Sequence, residues 1–117
     1  MPGTETDRIL LEHINECIDR IREYTGDERV AFDSSHLVQD AVVRNLQTLA
    51  ESTQRLSETL RDTEPGVPWR AIAGFRNVLA HSYLEIDLEV IWSVIETDLP
   101  ELAAAIKRMM RAAGASE

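Results

Sequence analysis

A single cysteine, Cys17, excludes an internal disulfide, so nothing ties the fold to an oxidising compartment. Its simplest role is that of a small buried apolar side chain. Glycine and proline are scarce, five and four in 117 residues, which argues against a chain built of turns and short strands. No apolar run approaches the ~18 residues needed to cross a bilayer. The beginning, Met1-Pro2-Gly3-Thr4-Glu5, lacks the basic-then-apolar pattern of a signal peptide, so the expected location is cytoplasmic, with no membrane partner. Basic residues are few: 12 against 21 acidic, a net charge of −9. That balance argues against a protein that coats nucleic acid through phosphate contacts. It leaves room for an enzyme that touches RNA at one small basic spot, and it suits a basic protein partner. Lysine is nearly absent too. Lys107 is the one lysine beside eleven arginines, a bias that codon usage explains before phosphate chemistry does.

What remains is helix-forming material. Apolar residues make up 44% of the chain, enough for a globular core, and 117 residues is the size of one domain spanning 1–117. Ala, Leu, Glu and Arg are plentiful, and these lose little side-chain entropy in a helix. Ile9 or Leu10, Ile14, Cys17, Ile21 and Tyr24 step by three and four, which predicts an amphipathic helix from about Glu5 to Thr25, ended by Gly26 as a left-handed cap. Asp33-Ser34-Ser35 offers an N-cap. The apolar positions Val38, Val42, Leu46, Leu49, Leu56 and Leu60 then predict one long helix from Ser35 to Arg61. Pro65-Gly66-Val67-Pro68 breaks the chain, and Pro68 is placed to start a third helix near Trp69. Ile72, Phe75 and Leu79 mark its core face, and it is expected to end near Tyr83. A last stretch carries Leu88, Ile91, Ile95, Leu99, Leu102, Ile106 and Met109 in phase through Pro100, with Asp98 able to cap a new turn at a kink or short break. The tail from Ala112 is expected to fray. The fold class is therefore all-α, an antiparallel bundle of four to five helices, and because the chain is small for the apolar stripes it carries, a second subunit is expected to cover part of them.

Chemistry concentrates in Arg76-Asn77-Val78-Leu79-Ala80-His81-Ser82-Tyr83. His81 can take or give a proton near neutral pH. Arg76 offers a fixed fork of donors for a phosphate, and Asn77 a neutral group that can orient a phosphate oxygen or the imidazole. Tyr83 brings a hydroxyl that can be hydrogen-bonded or modified. A base, an acid and a phosphate clamp are what RNA cleavage by its own 2′-hydroxyl requires, with no metal and no cofactor. On an ideal helix, however, Arg76 and His81 lie about 140° apart. Either the helix loosens before His81, or another chain completes the cluster.

This segment resembles the Arg-x4-His-x-Tyr signature of HepT, the toxin partner in HepT–MNT toxin–antitoxin pairs of the HEPN superfamily. The likeness extends over nearly the whole chain. It includes Phe32-Asp33, Asp40-Ala41-Val42-Val43-Arg44-Asn45-Leu46, the run from Pro68 to His81, Val90-Ile91-Trp92, and Asp98-Leu99-Pro100-Glu101-Leu102. One departure is Ala50-Glu51-Ser52, where the family often carries Gly-Glu-Ala; Glu51 is kept. The resemblance implies a HEPN-like fold and a toxin that is a metal-independent endoribonuclease. It implies a homodimer in which Arg76 and His81 of both protomers meet at a shared cleft. It implies neutralisation by an MNT-type nucleotidyltransferase antitoxin that transfers AMP to Tyr83. The competing reading is a catalytically silent HEPN subunit that partners such a nucleotidyltransferase. A purely structural bundle leaves the polar residues of the signature unexplained.

Other polar residues read more plainly. His13 and His36 have no partner at metal-ligand spacing. Asp40 and Arg44 form an i, i+4 pair on a helix, either a surface pair or a support for the site. Glu51 is read as a solvated charge before a contact to the cleft. Trp69 and Trp92 are core or interface anchors, and Arg70 is either a source of positive potential near the cleft or half of a surface ion pair.

Overall fold

The computed structural model describes residues 4–81 and 87–113, the His81 side chain excepted. The first helix, α1 (Glu5–Thr25), has the bounds that the apolar spacing predicts. Thr4 and Asp7 form a reciprocal capping box at its start, and Gly26 closes it in the left-handed conformation at φ 58°. The short α2 (Arg29–Asp33) follows. It is too brief to show a helical period, and the sequence pattern gave no sign of it. Phe32 pins α2 to the core, fully buried, with its ring 5.8 Å from that of Trp92 and their planes 30° apart.

The helix expected from Ser35 to Arg61 is two helices. α3 (His36–Arg55) starts with Ser35 as N-cap, its hydroxyl accepting from Val38 N–H. Leu56 is extended and α4 (Glu58–Arg61) begins anew. The cause lies across the bundle. The buried Asp7 carboxylate accepts from Ser57 N–H at 2.8 Å and from Ser57 Oγ at 2.7 Å, while also accepting from Thr4 N–H. An intact helix would commit the Ser57 N–H to the carbonyl one turn back; Asp7 takes it instead.

α5 (Trp69–His81) follows the proline-rich break. The final stretch runs through without interruption as α6 (Leu88–Ser93), one wide π-turn (Val94–Asp98) and α7 (Leu99–Ala112). The expected cap at Asp98 does not form, since that residue is itself helical and its side chain caps nothing. Pro100 has no N–H for the carbonyl four residues back, and its ring crowds that carbonyl. The chain widens locally instead of breaking, with Leu99 N–H reaching the carbonyl of Val94. The phase of the apolar stripe survives, and Ile91, Ile95, Leu99, Leu102, Ile106 and Met109 are all buried.

α1, α3 and the α6–α7 rod form an antiparallel all-helical bundle around Leu11, Ile14, Ile18, Ile21, Leu46 and Ile106. α5 packs on α3. Cys17 is buried, and burial pushes its thiol above the usual range. Among the described residues, no helix is long and apolar enough to cross a membrane.

Burial alone would raise the Asp7 carboxyl, but the hydrogen bonds from Ser57 and Thr4 outweigh it and hold the group below the ordinary carboxylate range. A lowered folded-state value stabilises the protein above the unfolded value, near pH 4, and that contribution disappears as pH falls through the folded one. Asp7→Asn is therefore expected to cost about 1–3 kcal/mol at neutral pH. The gap to the wild type should shrink on acidification. Thermal unfolding of both proteins across an acid pH series checks this; curves that stay parallel would contradict it.

Candidate functional site

The start of α5 is fixed by the residues around it. The Trp69 indole N–H donates to the carbonyls of Arg61 at 3.1 Å and Glu64 at 3.2 Å. Ile72 N–H closes the first turn on Pro68 O at 3.0 Å, and Gln54 Nε2 on α3 donates to Trp69 O at 3.3 Å. These bonds set the rotation of α5 on α3, and with it the direction of Arg76 two turns further on. Leu79 faces the core and is buried. Ile72 and Phe75, expected to be core, are only half-buried. They line an apolar groove of about 590 Å³ between α5 and the π-turn–α7 segment, with Val67, Val94 and Leu102.

Arg76 is partly open to solvent, its side chain 40% exposed. Its Nη1 donates to Asn77 Oδ1 at 3.1 Å, and its Nη2 to Glu51 Oε2 at 3.4 Å. The structure thus brings together Arg76, Asn77 and, from α3, Glu51. Glu51 is a contact partner of the site and not merely a solvated charge. The guanidinium is already presented as a fork, with carboxylate and amide oxygens occupying two donors that a phosphate would take. α5 stays α-helical to His81, so the helix does not loosen ahead of that residue and the angular gap from Arg76 persists. The His81 side chain and Tyr83 lie outside the described residues.

A second opening borders Glu51. A cleft of about 470 Å³ between α1 and α3 is lined by His13, Arg44, Gln47, Thr48, Glu51 and Arg55, among others. Arg44 does not pair with Asp40, although both are exposed at helical spacing. Arg55 does not stand out in the sequence by itself. Its signal was its spacing from Arg44, Thr48 and Glu51, a single stripe along α3. His13 Nε2 sits 4.0 Å from Cys17 Sγ. Arg70 is exposed, and among the described residues it has no ion-pair partner. Trp92 is a core residue, and Trp69 anchors α5. Among the described residues, no three His, Cys, Asp or Glu side chains stand together as a metal site would need.

A family model described as ribonuclease HepT-like matches residues 14–109. A candidate RNase of Caldanaerobacter subterraneus is 32% identical over 108 residues, covering 92% of this chain and 96% of that protein. A protein named probable ribonuclease HepT from Thermococcus cleftensis is 29% identical over 104 residues, 86% of this chain and 93% of its own length. A longer protein of Methanocaldococcus jannaschii, named gamma-glutamylcyclotransferase and candidate RNase, is 35% identical over 104 residues. The match covers 88% of this chain but only 47% of that protein. No solved structure matches the chain significantly.

Proposed function

The chain belongs to the HepT-like ribonuclease family of HEPN-type helical proteins, and from that premise we propose that it is a metal-independent endoribonuclease acting through Arg76 and His81. One observation carries the reading: Arg76 stands at an open surface with its donor fork shaped by Asn77 and Glu51, on the helix that continues to His81. In the proposed reaction His81 takes the proton of an RNA 2′-hydroxyl. The freed oxygen attacks the adjacent phosphorus, and the bond to the 5′-oxygen breaks. A second imidazole, in its protonated form, returns a proton to that leaving oxygen. The products are a 2′,3′-cyclic phosphate and a 5′-hydroxyl. Arg76 gives up its contacts to Glu51 and Asn77 and grips the non-bridging oxygens as charge builds on them. Asn77, released from the guanidinium, orients the phosphate.

A homodimer supplies the second imidazole and answers the 140° difficulty, because facing copies of α5 present Arg76 and His81 to one cleft. The half-covered Ile72 and Phe75, together with Val78 at 55% exposure, support such an interface. Within this reading the protein is the toxin of a type VII-like HepT–MNT pair, and the antitoxin is a nucleotidyltransferase that places AMP on Tyr83.

Incubation of purified protein with RNA in excess EDTA, followed by analysis of the new ends, tests the chemistry. Cleavage should persist and leave cyclic or 3′-phosphates. Activity that vanishes in EDTA and returns with magnesium, or ends bearing 5′-phosphates, would overturn the mechanism.

A further inference from the structure

The α1–α3 cleft has a composition unlike the rest of this acidic molecule. Arg44 and Arg55 both line it, and among the described residues neither guanidinium has a carboxylate within ion-pair reach. Glu51 is the one acidic residue of its lining, and that carboxylate is engaged by Arg76. Residues 44, 48, 51 and 55 recur by four, three and four, so they share one face of α3 over about 16 Å. Arg76 meets this stripe at Glu51, between Arg44 and Arg55 in the chain. Gln47 and Thr48 add neutral hydrogen-bonding groups between the charges, and Ile9, 59% exposed, gives the rim an apolar surface. The volume of about 470 Å³ is in the range of small-ligand sites.

From this arrangement we infer that the α1–α3 cleft is a subsite for single-stranded RNA, holding the nucleotide next to the scissile phosphodiester. The inference rests on the ribonuclease reading for the identity of the strand. Arg44 and Arg55 bind phosphates flanking the one gripped by Arg76. Gln47 and Thr48 meet the sugar or base edge, and Ile9 lies against a base face. A chain with a net charge of −9 repels RNA over most of its surface. Cations clustered beside Arg76 therefore decide where the strand docks and in which register, without making the protein a general RNA binder.

The probe is a single-stranded RNA oligonucleotide methylated on every 2′-oxygen, which binds but cannot be cleaved. Its affinity is measured by fluorescence anisotropy over a salt series for wild type, Arg44→Gln, Arg55→Gln and Arg22→Gln. Arg44 and Arg55 are exposed, so circular dichroism should be unchanged. Each of these two variants should bind about three- to tenfold more weakly, and its salt slope should fall by roughly 0.7, the loss of one phosphate contact to a single strand. Arg22, some 14 Å further along α1 than His13, is the control, and its variant should stay within about twofold of wild type. Unchanged binding by the Arg44 and Arg55 variants, or an equal loss in Arg22→Gln, would overturn the inference. So would variants that keep RNA binding but lose capture of the nucleotidyltransferase, which would make the cleft a protein-docking surface. Cleavage of unmethylated RNA by the wild type is scored alongside. A protein that binds the probe through Arg44 and Arg55 yet cuts nothing refutes the ribonuclease reading and leaves the subsite standing.

Discussion

Replacing His81 by alanine is expected to lower RNA cleavage by about 10² to 10⁴, the usual worth of a positioned proton-transfer group. Arg76→Ala should be comparably damaging, because it removes the charged fork from the phosphate at the moment its charge rises. The two losses should not come from unfolding. Arg76 is partly exposed, and its pair with Glu51 is a surface contact worth at most about 1 kcal/mol. Thermal unfolding of Arg76→Ala should therefore stay within a few degrees of wild type. The same pair of variants probes the shared cleft. Mixed dimers formed from Arg76→Ala and His81→Ala chains hold one arginine and one histidine in the cleft but lack the second imidazole, so mixing should lift activity above that of either variant alone while leaving it well below wild type. A His81→Ala protein that cuts RNA at the wild-type rate would remove His81 from the mechanism. Full activity in a protein that light scattering shows to be a monomer would remove the shared cleft.

Tyr83→Phe should separate toxicity from neutralisation. The substitution keeps the ring and loses the hydroxyl, so cleavage should survive in part while the proposed AMP acceptor is gone. In the proposed neutralisation, AMP on Tyr83 would add bulk and a negative charge that competes with RNA phosphate. Cells that express Tyr83→Phe together with the nucleotidyltransferase should stop growing, whereas cells with the wild-type pair should grow. Intact-mass analysis should show a gain of AMP in the wild-type protein and none in the variant. If both proteins gain AMP, or neither does, Tyr83 is not the acceptor and the partner neutralises by covering the cleft.

What the chain order reveals by itself is the local part of the fold. α1 is readable because its apolar spacing and its terminal glycine act within the helix itself. α5 is readable at its start because Pro68 and Trp69 act within a turn of each other. The features that local spacing does not show share a different cause. The break between α3 and α4 depends on Asp7, 50 residues away from the Ser57 that it captures. The π-turn is the bundle's way of keeping Ile95 and Leu99 buried past a proline, and the sequence shows only that something must give near Asp98. α2 has five residues, too few for a periodic signal, and depends on the Phe32–Trp92 stack. The site divides in the same way. Arg76 and Asn77 are neighbours and stand out in the sequence, while the third member, Glu51, lies 25 residues upstream and joins them only through the packing of α5 on α3.

That one-sided packing of α5 has a consequence for how order in the site is maintained. Among the described elements, the helix that carries Arg76 has its substantial support from α3 alone, with a groove where a second neighbour would be. Its local opening therefore costs less free energy than unfolding the three-rod core. Whatever binds across the groove to the closed helix stabilises it in proportion to the logarithm of its concentration. In the proposed dimer that partner is a second copy of the chain, so the geometry of Arg76 would be linked by mass action to the amount of protein present, and dilution and loss of activity would become two expressions of one equilibrium.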